Sequence, residues 1–289
     1  MADASDFSLL TVLIPVYNEI GTIDELLRQV AESPLKHEQQ IVVVDGGSND
    51  GSIAVLDRWR DAGRIELLRP AGIRGKGGAL KAGLAVAQGQ YTIIQDADLE
   101  YDPQDYSRLL EPLLKGEADV AYGSRYLTVG EQTVGEQDAP RTESSRQPGD
   151  YLTATRGTAI RRERRVLDFG VRMLNVAVRV LYGGRITDEA TCYKVFRTED
   201  LRRMRLECER FEFCPEVTAK AYRMGLRVIE LPIRYAPRSA AEGKKLRWTD
   251  GIQAFSTLWH YRRWVAPAVP KTPVSTEDRD SATAVPAEI

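Results

Sequence analysis

The chain has 289 residues, with 40 Lys and Arg side chains against 42 Asp and Glu and a formal net charge of −2. This balance gives no general electrostatic attraction to nucleic acid, so we expect no nucleic-acid partner. No run of 18 uncharged apolar residues is available to cross a membrane, and the acidic N-terminus does not resemble a secretory signal. Three cysteines without a CxxC spacing argue against a disulfide framework and favour a reducing, cytosolic setting.

The first 125 residues alternate between short apolar runs and helical patterns. Strands are predicted at residues 10–15, 41–45, 65–68, 91–95 and 119–123, and helices at residues 22–31, 52–59, 78–87 and 103–114. The predicted strands are continuously apolar, which is typical of a parallel sheet with helices on both faces. The pattern therefore predicts an α/β domain with a mostly parallel, Rossmann-like sheet.

Two consecutive segments then differ sharply in composition. Residues 128–158 are polar, rich in Gly, Pro, Ser and Thr, and without a hydrophobic period, so we predict a mobile flap or an insertion. Residues 159–182 are predicted to contain a basic amphipathic helix, with its clearest pattern from residue 161. Such a helix either lies in a membrane interface or packs on the core with solvated arginines. Both interpretations stay open.

The remaining residues complete one predicted domain, from residue 9 to residue 265. Two further strands are predicted at residues 191–196 and 228–235, with helices at residues 214–224 and 248–264. Residues 1–8 are predicted to be flexible. Residues 266–289 are rich in Pro, Thr and Ser, and we expect them to be disordered.

Two carboxylates directly follow the predicted strand at residues 91–95. Asp96 and Asp98 are two positions apart, so on an extended strand end their side chains point the same way. Open α/β sheets bind ligands at the carboxyl ends of their strands. Both carboxylates can therefore face one hard divalent cation, which shares its remaining ligands with water and substrate phosphates. The alternative role, capping a helix, is already available from Asp102 before Pro103.

Other polar residues end neighbouring strands and are expected at the same edge. Asp45 follows an apolar strand and is a plausible acceptor for a nucleobase or ribose hydrogen, whereas Asp50 and Ser52 are predicted to be structural. Tyr17 and Glu19 follow the first strand. Strand ends that bring acidic residues and a tyrosine together predict a ligand site.

The glycine-rich stretch at residues 72–78 matches neither common phosphate-binding motif. The stretch does not match a Walker A loop, because Pro70 occupies the position of the first glycine and Gly77 occupies the position of Ser or Thr. The dinucleotide pattern fails because Leu80 stands at its last glycine. What remains is a flexible loop that brings Lys76 to a helix N-terminus, which is a generic anion site.

Taken together, an ordered series of motifs resembles the family 2 glycosyltransferases of GT-A fold, particularly the dolichyl- and polyprenyl-phosphate sugar synthases. The motifs are PVYNE, VVVDGGSNDGS, GKGGAL, DADLEYDP, YGSRY, TDEATCYKVFR, FEFCPEVTAKA and a late Arg238 with GKKL. They cover roughly residues 10–261, apart from the polar insertion. The resemblance implies a metal-dependent, inverting transferase that moves a hexose from a nucleotide-sugar such as GDP-mannose or UDP-glucose to a polyprenyl phosphate.

The resemblance also implies roles for individual residues. The nucleoside pocket would comprise Pro15, Tyr17, Glu19, Asp45, Lys76, Asp96 and Ala97. Mg²⁺ or Mn²⁺ would be held by Asp98, with Asp96 and Glu100, the last at a place where relatives often carry Gln. Arg125 would contact the acceptor phosphate, and Arg238 and Lys245 would close over the diphosphate. The spacing of the late lysines leaves Lys244 as a rival for Lys245.

The charge on the acceptor decides whether a catalytic base is needed. A lipid phosphate is already anionic, whereas a hydroxyl acceptor needs a base, for which Asp188 and Glu216 are the candidates. Asp188 is alternatively an orienter of an arginine, and Glu216 a stabiliser of a helix N-terminus. Two alternative functions follow: transfer to a saccharide hydroxyl, or non-catalytic binding of sugar nucleotides. For the lipid acceptor we expect peripheral contact with the cytoplasmic membrane face; the sequence does not indicate an oligomeric state.

Overall fold

A computed structural model of the chain describes residues 9–35, 38–73, 75–127, 133–134, 158–238 and 248–267. The predicted flexible N-terminus, most of the predicted insertion and nearly all of the predicted tail lie outside these ranges. The strands are β1 (Leu9–Val16), β2 (Glu38–Asp45), β3 (Glu66–Leu68), β4 (Tyr91–Ile94), β5 (Val120–Ser124), β6 (Thr133–Val134), β7 (Lys194–Arg197) and β8 (Val228–Pro232). The helices are α1 (Ile23–Ala31), α2 (Ser52–Asp61), α3 (Gly75–Val86), α4 (Tyr106–Leu114), α5 (Thr158–Tyr182), α6 (Thr198–Arg203), α7 (Phe213–Arg223) and α8 (Trp248–Tyr261).

The described strands form one sheet in the order β3-β2-β1-β4-β7-β5-β8-β6. The pairs β2–β3, β1–β2, β1–β4 and β5–β8 are parallel, whereas β7 is antiparallel to both β4 and β5, and β6 is antiparallel to β8. Because β7 is reversed between them, β4 and β5 run in the same direction. The predicted mostly parallel sheet is therefore confirmed.

Helices cover both faces of the sheet, as the continuously apolar strands predicted. In β1, Val12 and Ile14 pack into a core with α1, α2 and α4, whereas Leu13 packs into a second core with α3, α5, α7 and α8. All three side chains have 1% or less of their surface exposed. Burying an aliphatic side chain of this size contributes roughly 1.5–3 kcal/mol. Neither face of β1 is available to solvent, so polar chemistry is confined to the strand ends.

Several predicted boundaries need correction. Helix α3 begins at Gly75, so Lys76 lies in its first turn and not in a flexible loop before it. The short elements α6 and β6 were not predicted, and β6 lies inside the segment expected to lack regular structure. The strand predicted from residue 191 begins at Lys194, which leaves residues 188–193 as an irregular lead-in. The predicted cap is confirmed, because the Asp102 side chain accepts a hydrogen bond from the Gln104 N–H at 2.9 Å, at the 3₁₀ turn before α4.

The topology brings the chemistry-bearing segments to one edge of the sheet. The carboxyl ends of β1, β2, β4, β5 and β8 lie at this edge, which we call the carboxyl edge. Since β7 is antiparallel, its amino end and residues 188–193 reach the same edge. None of the described helices combines the length and apolar character that crossing a bilayer requires.

Candidate active site

The loop after β1 is held in place by the turn after β2. The backbone N–H groups of Asn18 and Glu19 donate to the hydroxyls of Ser48 and Ser52, each at 2.9 Å. The Asp50 carboxylate accepts from the Ile20 N–H at 3.0 Å. The structural roles predicted for Asp50 and Ser52 are therefore visible as contacts, and they fix the position of the loop.

The predicted nucleoside residues lie on or next to this loop. Pro15 is near the end of β1, Tyr17 is 52% exposed, and the Glu19 side chain is only 10% exposed. Asp45 is buried, and its carboxylate accepts hydrogen bonds from the N–H groups of Gly47 and Ser48 at 3.1 and 3.2 Å. These bonds fix the Asp45 carboxylate at the carboxyl edge.

Lys76 and Asp96 form an ion pair across the carboxyl edge. Burial alone would lower the pKa of the Lys76 ammonium, but the contributions of its neighbours, with Asp96 first among them, together raise that pKa. Lys76 therefore keeps a fixed positive charge. Between Asp96 and Asp98, the Ala97 carbonyl accepts from the Thr22 hydroxyl at 2.8 Å, which ties this segment to the start of α1.

Asp98 is less engaged than the acidic residues on either side of it. Its carboxylate accepts a hydrogen bond from the Glu100 N–H at 3.2 Å. Burial, together with the carboxylates of Asp96 and Glu100, raises the pKa of Asp98 to about 7. The accumulated negative charge and the oxygen ligands fit Mg²⁺ or Mn²⁺. Among the residues that the structure describes, no cluster of three or more metal-binding side chains is found, so metal binding by Asp96 and Asp98 stays a prediction.

The Glu100 carboxylate has hydrogen-bond partners of its own, which differ from those of Asp98. Its two carboxylate oxygens accept hydrogen bonds from the Tyr235 hydroxyl at 2.7 Å and from the Arg238 N–H at 2.9 Å. Metal binding by Glu100 stays a prediction, and it requires these bonds to rearrange.

Arg238 joins three of the motifs that sequence analysis singled out. Its guanidinium donates to the Glu19 carboxylate and to the Asp98 carbonyl, both at 2.8 Å. The predicted diphosphate-binding residue thus lies directly beside the predicted metal ligand. Lys244 and Lys245 lie outside the described residues, so their roles stay predictions.

Arg125, directly after β5, is gripped by Asp188 from the lead-in to β7. Its Nε and Nη2 atoms donate to the two Asp188 carboxylate oxygens at 2.7 Å each, and its backbone N–H donates to Oδ2 at 3.0 Å. The guanidinium carbon lies 5.1 Å from the ring centre of Tyr235 and 5.9 Å from that of Tyr126. Asp188 is fully buried, whereas the Arg125 side chain keeps 17% of its surface exposed. Of the two roles weighed for Asp188, the geometry matches the orienter of an arginine.

The residue that holds Asp188 was not among the predicted site residues. Glu230 on β8 is 1% exposed, and its carboxylate accepts from the Thr187 N–H at 2.6 Å and the Asp188 N–H at 2.9 Å. Burial raises the pKa of Glu230, although these two backbone bonds oppose the rise. A single carboxylate inside the apolar strand VIELP was the available signal, because a buried charge without a polar partner is costly.

Glu216, the other candidate base, is also fully engaged. Its carboxylate accepts from the N–H groups of Glu207 and Cys208 at 2.7 Å each and from the Lys220 ammonium at 2.5 Å. Glu216 and Lys220 have no exposed side-chain surface. Glu216 thereby fixes residues 207–210, whose carbonyls accept from the N–H groups of residues 77 and 78 at the start of α3. Through these contacts, Glu216 helps to fix the start of α3 and thereby the position of Lys76.

Comparison with known proteins identifies the family of the chain. The sequence profile described as glycosyl transferase family 2 matches residues 11–202, which is more than half of the chain. An undecaprenyl-phosphate 4-deoxy-4-formamido-L-arabinose transferase of Aeromonas hydrophila is 27% identical over 247 residues, covering 83% of this chain and 64% of that protein. A dolichyl-phosphate beta-glucosyltransferase of Dictyostelium discoideum is 24% identical over 252 residues, covering 82% of this chain and 68% of that protein. Part of each relative thus extends beyond the match.

Solved structures share the fold at lower identity. The glucosyl-3-phosphoglycerate synthase of Mycobacterium tuberculosis, crystallised with Mn²⁺, UDP and phosphoglyceric acid, has a TM-score of 0.59 and 16% identity. The similarity covers 91% of this chain and 81% of that one. This likeness supports the GT-A fold. Because the family profile matches more than half of the chain, the conclusion is that the chain belongs to glycosyl transferase family 2.

Proposed function

We propose that the protein transfers a hexose from a nucleotide-sugar to a polyprenyl or dolichyl phosphate, with Mg²⁺ or Mn²⁺ and with inversion at the sugar. The observation that carries the proposal is Arg125, a cation fixed by Asp188 but still partly exposed, at the same edge as Asp98. The two relatives named above are a polyprenyl-phosphate and a dolichyl-phosphate transferase by their names. This agreement favours a phosphate as the acceptor.

The donor half of the proposal uses the residues around β1, β2 and β4. Tyr17, Glu19 and Asp45 surround the nucleoside, while Lys76 stands behind Asp96. The divalent ion, when bound, neutralises negative charge that develops on the departing diphosphate. Arg238 lies within hydrogen-bond distance of Glu19 and of the Asp98 carbonyl, so its guanidinium is already beside the proposed diphosphate position. The matching role of Lys245, or of Lys244, is proposed from sequence.

The proposal that the acceptor is a phosphate rests on the two candidate bases, Asp188 and Glu216, because neither has a free carboxylate oxygen. Both oxygens of Asp188 are bonded to Arg125, and both oxygens of Glu216 are bonded inside the core. A saccharide hydroxyl would need one of these groups to leave its partners. A lipid phosphate is anionic without help and is attracted by Arg125. Its oxygen attacks the sugar from the face opposite the diphosphate, which produces inversion in one displacement.

Helix α5 supports contact with a membrane surface. The apolar residues Leu174, Ala177 and Val178 face the core. A second row is exposed: Phe169, Met173, Val176 and Val180. The two interpretations of the sequence are therefore compatible, since one row packs inward while the other is available to a bilayer interface. We propose peripheral binding at the cytoplasmic membrane face.

A transfer assay with paired acceptors tests the function. Purified protein is given Mn²⁺ and radiolabelled GDP-mannose or UDP-glucose, with either polyprenyl phosphate or the corresponding polyprenol. We expect labelled lipid with the phosphate and none with the polyprenol. EDTA should abolish transfer, as should Asp98→Asn, whereas Asp61→Asn at the exposed end of α2 should leave it unchanged.

Each alternative gives a different result in this assay. Transfer to a saccharide hydroxyl with no transfer to the lipid phosphate would replace the proposed acceptor. If every common nucleotide-sugar binds but none is transferred or hydrolysed, the protein is a sugar-nucleotide-binding protein. Full activity of Asp98→Asn, or activity that survives EDTA, would refute the assignment of the metal site.

A further inference from the structure

Two cysteines that the proposed reaction does not use lie side by side near the carboxyl edge. The Sγ atoms of Cys192 and Cys214 are 3.6 Å apart, and both residues are free thiols in the structure. Cys192 belongs to the lead-in to β7 and is partly exposed, whereas Cys214 lies in the first turn of α7 and is buried. They are 22 positions apart in sequence, so the fold creates this pair.

The pair connects segments that serve the two halves of the proposed site. The Cys192 N–H donates to the hydroxyl of Tyr101, whose ring packs 5.4 Å from that of Tyr235 beside Arg125. Cys214 lies in the first turn of the helix that follows residues 207–210. This segment accepts the hydrogen bonds from the start of α3, which carries Lys76. A bond between the two sulfurs would join the acceptor side to the donor side.

The surroundings of Cys214 favour thiol reactivity. The Cys214 thiol and the Lys194 ammonium both donate to the Thr191 carbonyl, at 3.3 and 2.6 Å, so the sulfur has a cation as its neighbour. It also lies at the amino end of α7. Cations and helix N-termini stabilise a thiolate, which is the reactive form of cysteine.

We propose that Cys192 and Cys214 form a reversible disulfide, and that its formation slows sugar transfer. A disulfide has a sulfur–sulfur bond of about 2.05 Å, so the two atoms must approach each other by about 1.5 Å. The approach requires new side-chain torsions of Cys192 and Cys214, and it acts on the two segments that carry them, the lead-in to β7 and the first turn of α7. Both segments support residues of the proposed site, and displacements of about 1 Å are enough to slow a positioned reaction strongly. The effect on transfer rests on the proposed function, whereas the disulfide itself does not.

The oxidation balances with hydrogen peroxide as the oxidant. The thiolate of one cysteine attacks one peroxide oxygen and the O–O bond breaks, which gives a sulfenic acid and hydroxide. The hydroxide takes up the proton that the thiol had lost and becomes water. The second thiol then attacks the sulfenic sulfur and releases a second water, so that an S–S bond forms. The two sulfurs lose two electrons in total, and both oxygens of the peroxide end in water. Dithiothreitol reverses the step by thiol–disulfide exchange.

Disulfide mapping after peroxide treatment tests the site without any substrate. Free thiols are counted in the unfolded protein, and cross-linked peptides are identified by mass. We expect the thiol count to fall from three to one in the natural chain and from two to none in Cys208→Ser, with Cys192 linked to Cys214. Cys214→Ser should form no disulfide within the chain. If that variant does not fold, the peptide map of the natural chain still decides.

The transfer assay then tests the consequence. Oxidised protein should transfer sugar at least about tenfold more slowly than reduced protein, and dithiothreitol should restore the rate. Three remaining thiols, or a disulfide that includes Cys208, would overturn the site, and an unchanged rate with the Cys192–Cys214 bond in place would overturn its effect. If the reduced protein transfers no sugar, the proposed function fails, while the peptide map still decides on the disulfide.

Discussion

The contact between Arg125 and Asp188 determines what each residue is able to do. A bidentate, charge-assisted pair is among the stronger hydrogen-bond arrangements in proteins and fixes the plane of the guanidinium. Asp188 is unexposed, and its backbone is held by Glu230. Arg125 therefore presents a cation of fixed orientation, and Asp188 serves it as a positioning residue.

Asp188→Asn tests this division of roles. The amide keeps the size of the side chain but removes the charge, so Arg125 is held less firmly. We expect the KM for polyprenyl phosphate to rise by roughly 10- to 100-fold, while the dissociation constant of the nucleotide stays within error. The control is Asp119→Asn, because Asp119 also grips an arginine through both oxygens, but at the opposite end of β5. A lower kcat with an unchanged KM would instead indicate that Asp188 acts on the reacting atoms.

Glu189 predicts a pH dependence of stability that is separate from catalysis. Glu189 is 1% exposed, and burial raises the pKa of its carboxyl to about 8 although Lys194 opposes the rise. The folded protein therefore holds a proton that the unfolded chain releases near pH 4.5. The resulting stability is present below pH 4.5 and is lost as pH rises toward 8.

Glu189→Gln removes this ionisation with little change in shape. Between pH 5 and pH 8, the natural protein should lose on the order of 3 kcal/mol of unfolding free energy relative to the variant. Urea unfolding at both pH values measures the difference. Glu111→Gln, an exposed glutamate on α4, should show no such trend. A constant difference between natural protein and Glu189→Gln across this range would mean that Glu189 is ionised in the folded state.

At the scale of elements, glycines decide how closely α3 approaches residues 207–210. A Cβ atom on Gly77 would lie 2.8 Å from the backbone of Cys208, whereas one on Gly78 would meet nothing closer than Ile73 at 3.5 Å. The sequence suggested a flexible phosphate loop. The structure shows that Gly77 is needed for close packing, which places Lys76 opposite Asp96.

Gly77→Ala and Gly78→Ala form a matched pair of substitutions. Alanine favours a helix by up to about 1 kcal/mol over glycine, so Gly78→Ala should be neutral or stabilising. At Gly77 the clash should outweigh this gain, with a loss of about 1–3 kcal/mol in unfolding free energy and weaker nucleotide binding. Urea unfolding and titration calorimetry with UDP and GDP measure both effects. Equal behaviour of the two variants would show that the segment moves away without consequence.

The elements also show how far the sequence could predict this protein. Strands β1, β2 and β4 and the polar residues after them were predictable because apolar runs and turn residues are local signals. The reversal of β7 was not, since its direction depends on which neighbours it pairs with. The engagement of Asp188 and Glu216, and the contact between Cys192 and Cys214, depend on segments far apart in sequence. Composition marks such residues as candidates, but only the fold shows their partners.

For the whole molecule, two neighbouring helices share an exposed apolar surface. Helix α5 packs beside α8, and the Tyr182 hydroxyl donates to the Leu258 carbonyl between them. Helix α8 also exposes a row of apolar residues, Ile252, Phe255 and Trp259, which follow the spacing of one helical face. Arg172 and Arg179 are exposed on α5 and are suited to anionic headgroups. We call these residues the α5–α8 surface, and it gives the proposed membrane contact a defined location.

Liposome sedimentation tests whether the α5–α8 surface enters a membrane interface. Val176 and Val180 are 52% and 75% exposed, so replacing both with glutamate should leave the fold intact. Lost apolar burial and repulsion from anionic lipid together should lower the partition coefficient by about tenfold or more.

Ala54→Glu is the control: it places a charge on α2, which packs on the other face of the sheet, and should not affect binding. Transfer to a short-chain, water-soluble polyprenyl phosphate should persist in the double variant, because the carboxyl edge is unchanged. Equal binding of all three proteins would exclude this surface as the membrane contact.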